Sequence, residues 1–231
     1  MERSGKHISY GVLMLLMLVM AVIFWIGRNY LMVSFALMGL TFIPFYARFE
    51  NKKMEAEEIV LIASLSAIAA IGRVPFAALP GIQPTSFMII MSGILLGPET
   101  GFIIGSTTGL VSNIFLGQGP WTPWQMLAWG LMGFTAGIFR RQKWFKHRLG
   151  LTAFGFGWGF LFGWILNLWF VLGFFEPLSR SVWLSAFTAS FYFDLSHALA
   201  NMALIFFFAK RWEKILGRII EKFGLLTRPQ M

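Results

Sequence analysis

Four side chains with hydrogen-bonding or acid–base capacity stand together near the C-terminal end of an otherwise strongly apolar sequence: Tyr192, Asp194, His197 and Asn201. Asp194 and His197 are three positions apart and His197 and Asn201 four, so on a helix these three share a face. Several kinds of chemistry fit the set. The groups can form an interhelical hydrogen-bond network, with Asn113 or Asn167 as partners across the bundle. They can touch a ligand or relay a proton. An Asp/His pair can also act in acid–base catalysis. A metal site wants three or four convergent ligands, and the other two histidines, His7 and His147, fall in basic segments outside the apolar runs. No nucleophile elbow, zinc-helix motif or phosphate-binding loop occurs. Nothing in the chain could hydrolyse ATP by itself.

Two further stretches combine stacking area with amides. Residues 74–84 read Val-Pro-Phe-Ala-Ala-Leu-Pro-Gly-Ile-Gln-Pro, and residues 117–125 read Gly-Gln-Gly-Pro-Trp-Thr-Pro-Trp-Gln. Proline fixes φ and stiffens both. Trp121 and Trp124 are candidate interfacial anchors, the common fate of tryptophan at the membrane boundary. The functional alternative is a preformed aromatic cap in which Gln118 and Gln125 bind a polar, ring-containing ligand.

The elements that must position these groups follow from composition. The chain has 231 residues, 57% hydrophobic and only 13% charged, with 26 Phe and 10 Trp. A soluble fold has nearer 25% charged residues, so the class expected is an all-α membrane protein. Eight apolar runs are candidate spans: 8–27, 30–47, 56–73, 85–97, 101–117, 123–139, 150–174 and 182–209. The first follows a basic start but no small-residue cleavage site, and it is read as a retained helix rather than a signal peptide. The fourth reaches only about 20 Å, against a hydrocarbon core of about 30 Å. It is a partial span, or it is continued by the irregular segment before it.

With the N-terminus inside, 16 of the 19 basic residues fall on the inner side and only Arg28, Arg73 and Arg180 on the outer. That bias places both termini in the cytoplasm. It also explains the net charge of +9 without nucleic acid, since no basic stripe with interleaved aromatics occurs. The absence of Cys carries no redox information. The polar stretch 50–58 divides an N-terminal hairpin (1–50) from a six-helix unit (51–209), and a basic tail (210–231) follows. The tail is an amphipathic helix on the anionic inner leaflet, through Ile215, Ile219, Phe223 and Leu226, or an extension of the last span. Small residues form stripes at Ala63, Ser66, Ala67 and Ala70, at Gly105 and Gly109, at Gly130, Gly133 and Gly137, and at Gly155, Gly159 and Gly163. Such faces let helices approach closely in a membrane. A stripe turned to lipid would instead receive a partner.

The segment from Ala67 to Gly137 resembles the S components of energy-coupling factor (ECF) vitamin transporters. The strings that carry the likeness run from Ile71 to Pro80, Gln83-Pro-Thr85, Gly97-Pro-x-x-Gly101-Phe102, and Ser112-Asn113 through Gln125, together with Asp194-x-x-His197 and Asn201. It looks most like the cobalamin-type S components. The resemblance implies six helices, with outward loops closing over a vitamin, and docking through an alanine-x-x-x-alanine stripe on the first of them. Ala63 and Ala67 occupy that place, with Ala70 beyond. The partners implied are a transmembrane coupling subunit and two ATPase subunits. ATP is bound by those partners, the vitamin is the transported ligand, and no cofactor is implied. Carried over residue by residue, the pocket comprises Arg73, Phe76, Gln83, Thr85, Asn113, Gln118, Trp121, Trp124 and Gln125, with Asn167, Tyr192, Asp194 and His197. The N-terminal hairpin departs from the pattern. The alternatives kept open are an S component for another vitamin or a nucleobase-like precursor, a membrane-embedded enzyme using Asp194 and His197, and a purely structural subunit.

Overall fold

The computed structural model describes Gly39 and residues 56–224, in which seven α-helices and one 3-10 turn follow one another without a strand. The two spans expected at 8–27 and 30–47, the hairpin they form, and Leu226 lie outside the described residues. Helix α1 (Ala56–Ile71) begins with Glu57 and Glu58 in its first turn, where acidic groups oppose the positive end of the helix dipole. A 3-10 turn (Val74–Phe76) opens the proline-rich connection. Helices α2 (Thr85–Leu96) and α3 (Pro98–Leu116) are divided by Gly97 alone, which has φ 99° and is followed by Pro98 at the first helical position. Helix α4 (Thr122–Phe139) comes next. A four-residue turn of helix, α5 (Lys143–Lys146), leads into α6 (Arg148–Phe174). The last helix, α7 (Arg180–Lys222), starts at Ser179, whose hydroxyl accepts from Val182 N at 3.3 Å.

Three described segments are long and apolar enough to cross a membrane: 56–76, α6 and α7. Helices α3 and α4, expected as spans, owe less to apolarity because they pack against each other through Gly, Ser and Thr. Along α4, Gly130, Gly133 and Gly137 face Ser106 and Phe102, Gly101, and the Gly97–Pro98 link of the neighbouring helix. On α6, Gly155, Gly159 and Gly163 face Ile205 and Asn201, Ala198, and Asp194 of α7. These stripes are internal packing surfaces. Helix α4 is central, touching α2, α3 and α6. Its apolar contacts (Ala128, Trp129, Met132 and Ala136) join Phe87 to Met91 of α2 and Trp158 and Phe162 of α6 in the main core.

Helix α2 is a half-span. Its second residue, Ser86, accepts a hydrogen bond from the indole of Trp129 at 3.1 Å, and Trp129 lies near the middle of α4. Twelve residues rise only about 18 Å, so α2 starts level with mid-α4 and the chain 74–84 reaches that level as irregular backbone. The fourth expected span is therefore continued by the segment before it. Non-helical backbone at such depth is tolerated only where protein covers it or a cavity adjoins it.

The basic stretch after residue 209 is not a separate surface helix. Helix α7 runs unbroken to Lys222. Leu216 is buried with Leu65, Leu96 and Ile104, and Trp212 meets Phe87 edge-on at 5.6 Å. Ile215 and Phe223, which the amphipathic pattern would have set together against lipid headgroups, stay exposed while Ile219 packs on the bundle. At the N-terminal end of α6, the Arg148 guanidinium lies 3.5 Å over the Phe206 ring and donates to the Phe206 carbonyl.

Candidate functional site

The residues that converge lie around the C-terminal end of α3 and the N-terminal end of α4. Arg73, just past α1, donates from Nη1 to Asn113 Oδ1 at 2.7 Å and to Ser112 Oγ at 2.9 Å. The Asn113 amide in turn donates to Gln125 Oε1 at 2.7 Å and to Thr122 Oγ1 at 2.9 Å. Asn113 is 1% exposed, and every polar atom of its side chain is used. The Arg73 guanidinium also lies 5.0 Å from the ring centre of Trp129. Through Trp129 Nε1 the chain of contacts continues to Ser86 Oγ, which meets His197 Nε2 at 2.8 Å. Phe162 closes edge-on over the His197 ring at 5.1 Å. A polar thread thus runs from the N-terminal end of α4 to the middle of α7, with members from α2, α3, α4 and α7 and from the turn after α1, and Phe162 of α6 seals it.

The proline-rich segment is fastened to this thread. Gly81 has φ 73°, and a Cβ there would stand 2.7 Å from Phe193 O and 2.8 Å from His197 N. Both the left-handed backbone and the close approach to α7 require glycine. Thr85 Oγ1 donates to Ala69 O at 3.1 Å, tying the other end to α1. Along the segment Val74, Phe76, Leu79 and Ile82 are exposed.

Asp194 forms a second, separate cluster. Its Oδ2 accepts from Ser190 Oγ at 2.9 Å, and Asn167 Nδ2 donates to the same hydroxyl at 2.8 Å. Its Oδ1 is buried without a partner among the described residues and lies against Gly163. Asp194, His197 and Asn201 share the buried face of α7, as their spacing requires, and Asn201 donates to Gly155 O at 3.2 Å. Asp194 does not orient His197, so no catalytic triad is assembled around Ser86. Ser86 and His197 are 1% and 5% exposed, so the pair is closed to solvent. Among the described residues no group of three His, Asp or Glu converges on a metal position.

A family profile described as "ECF transporter, substrate-specific component" matches residues 57–211. The chain belongs to this family. An S component is part of a transporter rather than an enzyme, and the matched region takes in five of the six long helices almost entirely and the last, α7, as far as residue 211. Similar curated proteins include UPF0397 proteins of Vibrio atlanticus (strain LGP32), 30% identical over 41% of this chain and 53% of the relative, and of Aliivibrio fischeri (strain ATCC 700601 / ES114), 30% identical over 37% and 49%. A folate transporter FolT of Streptococcus mutans serotype c is 31% identical over 41% of this chain and 53% of its own length. The chain spans about half the length of the curated relatives it matches. No solved structure matches it.

Several residues expected in the S component's pocket are placed differently. Trp124 and Gln125 are not loop residues, because Pro123 in the first turn starts α4 at Thr122. Trp124 is fully buried and packs with Phe102, Leu127 and Phe134. Gln118 is exposed and spends its amide on Leu110 O at 2.8 Å. Gln118→Ala is expected to leave ligand affinity within about twofold, read by titration, because its hydrogen bond is to the backbone of α3. Trp121 meets Trp169 edge-on at 5.9 Å, where the N-terminal end of α4 adjoins the C-terminal end of α6. Tyr192 is 78% exposed on the opposite side of α7 from Asp194, and the described bundle does not bring it to the others. Gln83 and Phe76 remain in the connecting segment, half-buried and exposed respectively. Of the alanine stripe, Ala63 is exposed and Ala67 half-buried, but Ala70 is fully buried against the bundle and offers nothing to a partner.

Ser86, Ser112, Thr122, Trp129 and Ser190 join the network without having been expected there. Serine, threonine and tryptophan are ordinary packing residues in membrane helices, and their spacing alone carries no sign of a partner on another helix.

Proposed function

We propose that this chain is the substrate-binding subunit of an ECF-type importer. It captures a vitamin at the outer face of a bacterial cell membrane, with both termini cytoplasmic. It delivers the vitamin inward together with a transmembrane coupling subunit and two ATPases, which bind the ATP. The observation that carries the reading is the polar thread from Gln125 through Asn113 and Arg73 to His197, lying where the irregular segment 74–84 descends into the bundle. Buried polar groups in a membrane protein are costly and face a pathway or a ligand.

Two vitamins are in view. The corrinoid reading rests on the Gly117–Gln125 string. With Trp124 packed in the core and Gln118 bound to backbone, that string supplies fewer ligand-facing groups than a large corrin requires. The name of the Streptococcus mutans relative favours folate. Titrating the purified protein in lipid nanodiscs with cyanocobalamin, folic acid, riboflavin, thiamine and biotin tests the proposal. Stoichiometric capture of one of them supports it, and failure of the whole set sinks it.

Exposed Ala63 and half-buried Ala67 on α1 are proposed as the docking face for the coupling subunit. Ala63→Phe is expected to leave vitamin affinity within about twofold and to abolish uptake in cells carrying the complete transporter, since a large side chain on a small-residue face prevents close helix approach. Unchanged uptake would remove that face from the docking surface.

A further inference from the structure

We infer that the vitamin presents a carboxylate to Arg73, an assignment of ligand class that rests on the importer reading. Both side-chain hydrogen bonds of Arg73 leave from Nη1, toward Ser112 and Asn113. The opposite edge of the guanidinium, Nε with Nη2, has no protein partner among the described residues, and Nε is buried as well as unpaired. That edge is the two-donor fork that matches the two oxygens of a carboxylate.

The charge points the same way. No described carboxylate pairs with Arg73. Its other neighbour, the face of Trp129, stabilises a cation without neutralising it. The N-terminal turn of α4 lies alongside, joined to Arg73 through Asn113 and Thr122, and it adds the positive end of a helix dipole. A second donor at the outer end, Trp169 Nε1 beside Trp121, is likewise buried without a partner. Two unpaired donors, an uncompensated cation and a helix N-terminus describe a receptor for oxygen acceptors carrying negative charge. They do not suit a cationic vitamin or one whose periphery is amide.

A buried donor left unpaired is expensive. A ligand oxygen at Nε gives the fork the hydrogen bonds it lacks.

The test varies the ligand before the protein, so that folding is not in question. Wild-type protein in nanodiscs is titrated with matched acid and neutral pairs: folic acid and its dimethyl ester, biotin and biotinamide, pantothenate and panthenol, nicotinate and nicotinamide. Cyanocobalamin, thiamine and riboflavin are included. One acid is expected to bind roughly 10- to 100-fold more tightly than its neutral twin, the range for a charge-assisted pair. R73K, which keeps the charge but loses the fork, should erase most of the difference between the acid and its neutral twin. Tight capture of cyanocobalamin, thiamine, riboflavin or a neutral twin, with equal affinity in R73K, overturns the carboxylate assignment and leaves the importer standing. Failure of every compound to bind overturns both.

Discussion

Asn113→Leu is expected to destabilise the protein by roughly 3–6 kcal/mol and to weaken vitamin capture by at least about 100-fold. Leucine fills a similar volume, so the effect is one of polarity rather than of a cavity. Three hydrogen bonds disappear together, those from Arg73, to Thr122 and to Gln125. Each leaves a partner without that bond, at about 1–2 kcal/mol per group, the lower part of the range because Arg73 keeps Ser112 and Thr122 keeps the Gly119 N–H. Arg73 keeps only Ser112 and is free to rotate, so the guanidinium loses its fixed direction as well as an acceptor. Thermal unfolding in nanodiscs reads the first effect and titration the second. A variant as stable as wild type that binds as tightly would show that the thread beneath segment 74–84 has no part in holding the ligand.

How much of this arrangement was legible in the sequence varies with the kind of signal. The shared face of Asp194, His197 and Asn201 follows from helical period alone, and the three are buried together. The glycine stripes of α4 and α6 announce close helix packing for the same reason. The length of the run at 85–97 marks a helix too short to span, and the half-depth start of α2 bears this out. What sequence periodicity cannot reach is the register between helices. Whether Arg73 meets Asn113 or Asp194 depends on where α1 and α3 cross, and no local pattern encodes that crossing. The boundary at Thr122 was missed for a different reason. Proline reads as a loop residue, yet in the first turn of a helix its lost N–H was unpaired anyway. That is how Trp124 came to be expected in a cap when it is the most buried tryptophan of the core.

Gly133→Ala and Gly157→Ala should have opposite signs, and the pair measures how strongly the α3–α4 contact is built on missing side chains. In a helix interior alanine is favoured over glycine by about 1 kcal/mol. At Gly157 an added Cβ meets nothing within 4 Å, so that preference should appear undiluted as stabilisation of about 1 kcal/mol. At Gly133 the Cβ would stand 2.5 Å from the Gly101 carbonyl carbon and 3.1 Å from its Cα. The obstacle is backbone, not the end of a flexible side chain. Gly101 cannot retreat, because a Cβ on it would itself stand only 2.7 Å from the Gly93 Cα, so three helices meet at one level. Relief requires α4 to move off α3, which would pull Thr122 and Gln125 away from Asn113. The expected cost is at least about 3 kcal/mol, the upper end for overpacking, together with weaker ligand capture although Gly133 lies well inside the bundle, far from the outer mouth. If Gly133→Ala is as stable as Gly157→Ala, helices α3 and α4 stand further apart than described here, and the geometry that aims Asn113 at Arg73 falls with that contact.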